Sequence, residues 1–178
     1  MLKELRRIVT GIDSNGKSYV DIDGPPGRIR EHAAGGAAEF WMTDATPADN
    51  LVKGDPAARP ARLEPPAGGS VFRYFLLGPE NKAISTAELE RMAAERFAAM
   101  GASHCRVDTS RHPSMHTTRT VDYIILLSGR VTLLLDKGEV ELKPFDVVVQ
   151  RGTNHGWVNR GTEPALLAGI LIDAKPTR

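Results

Sequence analysis

The chain has 178 residues, enough for a hydrophobic core that needs no stabilising disulfide. Hydrophobic residues make up 41% and charged residues 25%, as in an ordinary globular protein. The formal net charge of +1 gives no reason for bulk attraction to nucleic acid or to an anionic membrane, and we expect neither as a partner.

Three features of the sequence predict a cytoplasmic protein. Cys105 is the single cysteine, so no disulfide can form within the chain, which suits a reducing compartment. No apolar run reaches the ~20 residues that span a bilayer. The first ten residues lack the apolar stretch of a secretory signal.

The amino-terminal part of the chain predicts short strands followed by a long loop. Residues 5–12 and 18–22 have strand character on either side of the turn signal Asn15-Gly16, and residues 40–43 form a further extended segment. Residues 44–69 contain five prolines and cannot hold regular structure for long. Two interpretations of this loop stay open, a cover over a site and a plain surface connection.

One helix is predicted, after a strand at residues 71–76. Ser85 and Glu88 have the spacing of a capping box, so the helix is expected over residues 86–100. Gly101 then ends the apolar periodicity.

The second half of the chain consists of short β-rich runs separated by turn residues. These runs are residues 121–127, 130–135, 139–142, 146–150, 157–159 and 165–171. Regular short strands at this density predict a closed antiparallel sandwich or barrel, whose interior is a natural ligand cavity.

Residues 112–159 resemble the two motifs of small cupins of the RmlC-like superfamily. The first motif of that family is matched by His116, Thr118, Asp122 and Gly129, and the second by a strand from Phe145, a turn at Gly152, then His155 and Asn159. The resemblance implies an all-β fold, the double-stranded β-helix or jelly-roll barrel, with one flanking α-helix.

The resemblance also implies a domain organisation. Residues 1–178 form a single cupin domain, in which residues 1–70 supply amino-terminal strands and the proline-rich loop. Residues 71–178 supply the helix and the barrel core, with the motifs at residues 116–129 and 145–159.

The chain departs from the cupin pattern at several positions that bear on metal binding. Thr118 replaces the usual second histidine, Asp122 the usual glutamate, and Phe145 a glycine; the turn before His155 is one residue shorter. Threonine is a poor metal ligand, whereas imidazole and carboxylate are good ones.

The remaining set predicts a divalent metal site of two histidines and one carboxylate: His116, Asp122 and His155. Such a set leaves coordination positions open for substrate, dioxygen or water, and iron, zinc, manganese and nickel all suit it.

Other roles for these residues stay open. Asp122 is one methylene shorter than glutamate, so it is also a candidate catalytic base, a partner that orients a histidine, or an ion-pair partner of Arg119. His112 shares strand parity with His116, but the ~13 Å between them along a regular strand places it at the barrel rim.

We assign substrate contacts to Thr118, Gln150, Trp157 and Asn159. Because the surrounding strands supply mainly Val, Ile and Leu, the expected ligand is a small apolar or aromatic molecule with a few oxygens. Phosphorylated or highly charged substrates are not expected, since the candidate pocket has few lysines or arginines.

Two functions remain in competition. The first is a metal-dependent enzyme, either a dioxygenase with iron or an isomerase or dehydratase with zinc, manganese or nickel. The alternative is a small-molecule-binding cupin that has lost its metal site and catalyses nothing. In either case the exposed edges of the amino-terminal strands predict a homodimer.

Overall fold

The computed structural model describes residues 1–32 and 35–176. Within them, the strands are β1 Arg7–Ile12, β2 Ser18–Gly24, β3 Arg28–His32, β4 Gly35–Thr43, β5 Ser70–Leu77, β6 Thr120–Ser128, β7 Val131–Leu135, β8 Glu139–Leu142, β9 Val147–Arg151, β10 His155–Val158 and β11 Ala165–Asp173. The α-helix is α1 Thr86–Ala99, and short 3-10 turns lie at Leu2–Glu4, Pro56–Ala58 and Ser103–Cys105.

The strands form a two-sheet jelly-roll barrel with one helix against it, which confirms the predicted all-β fold. The larger sheet has the order β3-β4-β5-β11-β6-β9, and the smaller one β10-β7-β8. Strands β1 and β2 form a separate hairpin, and every pairing is antiparallel.

Alternation along the strands of the larger sheet separates two apolar layers. On β5 and β11, Phe75 and Leu167 contribute to a cluster between the two sheets, whereas Tyr74 and Leu166 contribute to one on the opposite face. Successive side chains of a strand point to opposite faces, so this period of two follows directly from the sequence. The inner layer contains the site described below.

The helix begins and ends where the sequence predicts. The Ser85 hydroxyl accepts a hydrogen bond from the backbone N–H of Glu88 at 3.2 Å, and Gly101 follows the helix with φ +65°. Phe97 near its end packs in a buried cluster that includes Leu63 of the proline-rich loop. This end of α1 therefore covers the barrel interior. No helix in the described parts of the chain is long and apolar enough to cross a membrane.

Strand β3 and the first half of β4 were not predicted from the sequence, because their residues have weak strand propensity. Gly36 lies on β4 opposite Glu31, where a Cβ atom would come within 2.4 Å of the Arg30 carbonyl oxygen. Only glycine fits this approach, so tertiary packing, not local propensity, decides the conformation here.

The proline-rich loop contributes Leu63 to the wall of the barrel interior and is fixed to the strands at two further points. The Arg7 guanidinium is buried and donates to the Phe40 carbonyl at 2.7 Å and to Asp55 Oδ1 at 2.9 Å. Farther along the loop, the Arg62 carbonyl accepts a hydrogen bond from Arg73 at 2.5 Å. These contacts favour the cover over the plain surface connection.

Phe145 has a backbone conformation that L residues rarely adopt. Its φ is +74°, and its side chain is 78% exposed, so no packing compensates for the strain. This is the position at which the cupin pattern has glycine, so the conformation of the turn is kept although the residue has changed.

Candidate functional site

The barrel interior holds a cavity of about 200 Å³ that contains the predicted chemistry. His116, Asp122 and His155 all line it, together with apolar side chains that include Phe75 and Trp157. A cavity of about 150 Å³ accommodates benzene. This one therefore has room for a single ring with short substituents.

The two histidines are adjacent. His116 and His155 exchange two backbone hydrogen bonds, of 2.8 and 2.9 Å, and their ring centroids lie 4.3 Å apart. Each Nδ1 is bonded to a backbone carbonyl, that of Ser114 for His116 and that of Thr153 for His155, both at 2.9 Å. Since a carbonyl only accepts, each Nδ1 carries the proton and each Nε2 keeps a free lone pair.

Both imidazoles are neutral at physiological pH. Burial, and next the neighbouring His155, lower the pKa of His116 to about 3. Burial lowers the pKa of His155 to about 4. A metal ion binds neutral imidazole, so neither ligand must lose a proton first.

Asp122 lies on the inner face of β6 as a buried carboxylate. Its Oδ1 is buried with no hydrogen-bond partner in the described residues, and burial raises its pKa to about 6 against the opposing effects of the Thr120 side chain and then the Arg73 guanidinium. No ion pair joins it to Arg119, whose backbone N–H instead donates to Glu64 at 2.8 Å. An orphaned buried oxygen of this kind suits a cation or a proton-transfer role.

The histidine pair fits a divalent ion, while Asp122 does not complete a three-ligand cluster with it. In the portion of the chain that the structure describes, Glu64, His104 and Cys105 are the residues that bring three ligand atoms within 4.8 Å of one another. The chemistry of the two free Nε2 atoms nevertheless suits a divalent ion with open positions. Asp122 stands in the same cavity as a charged neighbour of the pair.

Burial disfavours the thiolate in the alternative cluster. Its Glu64 and His104 form a contact of 2.9 Å, and Cys105 Sγ lies 3.5 Å from the His104 ring. Burial raises the pKa of the Cys105 thiol to about 12, and a metal ligand must be the thiolate.

The residues predicted to touch substrate divide into two groups. Trp157 lines the cavity. Thr118 bonds the Thr120 hydroxyl at 2.7 Å, and Gln150 bonds Thr153; neither belongs to the cavity lining. Asn159 also lies outside it, because β10 ends at Val158 before the alternation would have brought Asn159 inward.

Asn159 and His112 have other partners. The Asn159 amide donates to the carbonyls of Leu77 and Glu163 at 2.9 and 2.8 Å, so it fixes the loop after β10. His112 contacts Glu80 at 3.0 Å and takes no part in the histidine pair.

Three arginines in the cavity wall were not predicted from the sequence. They are Arg30 of β3, Arg73 of β5 and Arg96 of α1. The premise that the candidate pocket contains few lysines and arginines, from which highly charged substrates were not expected, is therefore wrong. Arg73 alternates in phase with the inward residues Val71 and Phe75, a signal that was present in the sequence.

The two-sheet barrel and the histidine pair in its cavity agree with the protein family that the sequence matches. Residues 104–172 match the family model of the cupin domain, Cupin_2. The chain therefore contains a cupin domain, and the matched region carries both histidines and Asp122.

The chain is similar to several fungal proteins. The chain is 29% identical over 185 residues to the phomopsin biosynthesis cluster protein C' of Diaporthe leptostromiformis, covering 98% of this chain and 82% of that protein. It is 42% identical over 65 residues to the cupin-domain-containing oxidoreductase srdD of Neurospora crassa, covering 34% and 33%. Among solved structures, a Cupin 2 conserved barrel domain protein of Salinispora arenicola matches with TM-score 0.44 and 15% identity over 83% and 82% of the two chains.

Proposed function

We propose that the protein is a metal-dependent cupin oxidoreductase that acts on a small, mainly apolar or aromatic molecule. The observation that carries the proposal is the histidine pair, neutral and fixed through Nδ1, with both Nε2 atoms free beside a ligand-sized cavity. Nδ1 bonds to backbone carbonyls are the usual way in which proteins orient metal-binding histidines.

The names of the fungal relatives favour oxidation over isomerisation or dehydration. Several are described as cupin-domain-containing oxidoreductases, and others belong to biosynthesis clusters. With iron bound, the site would supply dioxygen activation next to the organic substrate.

Residues of this chain would bind the metal ion, contact the substrate and transfer a proton. His116 and His155 would hold the ion, and Trp157 would offer an aromatic wall, since its ring centroid lies 5.8 Å from that of His155. Asp122, with its pKa raised by burial to about 6, is suited to take up or release a proton near neutral pH.

Titration of the metal-free protein with Co²⁺ tests the proposal. We expect visible absorption that saturates near about one ion per chain, because imidazole-bound cobalt absorbs in this region. The variant His155→Ala should lose the absorption, and the control Asn159→Ala should keep it. Absorption absent from the wild type, or unchanged in His155→Ala, would contradict the proposal.

We also propose a homodimer that forms through the β1–β2 hairpin. This hairpin bonds to neither larger sheet, and it exposes about half of Ile8, Ile12, Tyr19 and Val20. Unpaired strand edges with exposed apolar side chains favour pairing with a second chain. Light scattering should give about twice the chain mass of 19.3 kDa, and the monomer mass would contradict the dimer.

A further inference from the structure

The side of the cavity that reaches solvent is basic. Among the cavity-lining residues, His32 and Arg96 are the exposed ones, so they mark the opening. The charges of Arg96 and Arg30 both contribute, after burial, to the lowered pKa of His32, which places the three side chains near one another.

Arg96 has no acidic partner in the described residues. It forms none of the salt bridges or side-chain hydrogen bonds found there, and its guanidinium carbon lies 5.7 Å from the centre of the Phe97 ring. By contrast, Arg91 on the same helix pairs with both Glu88 and Glu95. A guanidinium kept in a cavity wall without a counter-ion is available for an anionic ligand.

The other two arginines share too few carboxylates to be neutralised. Arg73 Nε lies 3.1 Å from Glu39 Oε2, and Arg30 Nη2 is 4.0 Å from Oε1 of the same glutamate. The Nε atom of Arg30 is buried and unpartnered. Three arginines and one carboxylate, Asp122, line the cavity, and Glu39 behind them pairs with Arg73 and Arg30. Three positive charges against two negative ones leave an excess of positive charge around an otherwise apolar space.

We propose that the cavity selects a ring-bearing monocarboxylate. Its carboxylate is bound by Arg96, at the opening, together with Arg30, and its ring lies against Phe75 and Trp157. The proposal rests on the proposed function, because it names the substrate class of the same site. It narrows the ligand expected from the sequence, a small apolar or aromatic molecule with a few oxygens, to one that carries a carboxylate.

A guanidinium and a carboxylate match in shape as well as in charge. Arg offers two parallel N–H groups to the two oxygens of a carboxylate. A ring with a short acid side chain also fits the volume of about 200 Å³. The opposite end of such a molecule then faces the histidine pair.

Calorimetric titration with phenylacetate and with its uncharged isostere phenylacetamide tests the proposal. We expect the wild type to bind the acid at least about tenfold more tightly than the amide. The variant Arg96→Met should bring the two affinities together, and Arg96→Lys should keep part of the preference because it keeps the charge.

The matched control is Arg130→Met, which removes an equal charge from an exposed residue that pairs with Glu141 on the surface. It should bind the acid as the wild type does. Equal binding of acid and amide by the wild type, no binding of either, or a preference that survives Arg96→Met would overturn the proposal.

Metal content, measured on the same samples, separates this proposal from the proposed function. A wild type that holds metal but shows no acid preference refutes the monocarboxylate alone. A wild type that prefers the acid but holds no metal refutes the oxidoreductase and leaves the ligand class standing.

Discussion

The two buried histidines predict that the metal-free protein loses stability as the pH falls from about 8 to about 5. In the folded state the pKa of His155 is about 4 and that of His116 about 3, both below the value of 6.5 for a free histidine. The unfolded chain therefore binds more protons in this range, so its population rises with acidification. Their stabilising effect is complete above about pH 6.5 and decreases below it.

The magnitude follows from these values. At about pH 5, each histidine lowers the free energy of unfolding by about 2 kcal/mol relative to pH 8. Asp122 acts in the opposite direction, because burial raises its folded pKa to about 6, and acidification relieves about 1 kcal/mol of its cost. The net loss is about 3 kcal/mol, a large part of the stability of an ordinary domain.

Urea unfolding of chelator-treated protein at several pH values measures this loss. The variant His155→Gln should lose about 2 kcal/mol less between the two pH values than the wild type does. The control His104→Gln removes an exposed imidazole and should behave as the wild type. A wild type equally stable at both pH values, or a His155→Gln variant with an unchanged pH dependence, would refute the assignment of two buried neutral histidines.

Three substitutions test other parts of the structure by chemical denaturation. Phe145→Gly should stabilise the protein by about 1 kcal/mol by removing the strain at φ +74°, whereas Phe145→Ala should not; equal effects of the two would refute that strain. Leu126→Ala should destabilise by about 2–5 kcal/mol because Leu126 is fully buried between the sheets, and a loss below ~1 kcal/mol would contradict that packing. Asn159→Ala should lower the free energy of unfolding by about 2 kcal/mol, because two hydrogen bonds are lost, and should leave the affinity for phenylacetate unchanged. Weaker binding of phenylacetate would show that Asn159 contacts the ligand.

The sequence was sufficient for the barrel and for the histidine pair, because residues 112–159 resemble both cupin motifs. The alternation along β10 and the motif spacing bring His155 and His116 to the same cavity. Asn159 was placed by the same alternation, Gln150 by its position at the end of the preceding strand, and Thr118 by its match to the first motif. Each of the three instead forms hydrogen bonds with a neighbouring loop or strand group. Strand ends and turns break the period of two, and a sequence does not show where.

The arginines could not be predicted in the same way, because they come from three elements that are distant in the chain. Arg30 is on β3, which has weak strand propensity, and Arg96 is a single charged residue within the apolar stripe of the helix, four residues after Met92. Only the sheet order, with β3 and β5 on either side of β4, and the packing of α1 over the interior bring them together. Electrostatic complementarity to a ligand is thus a tertiary property here.

The metal content of purified protein, loaded with excess divalent ion and then desalted, is the most direct test of a metal centre at the histidine pair. We predict about one ion per chain in the wild type, a large loss in both His116→Ala and His155→Ala, and full retention in His104→Ala. The same low content in all four proteins would contradict the metal centre. Loss in His104→Ala with retention in His155→Ala would instead place the ion at Glu64, His104 and Cys105.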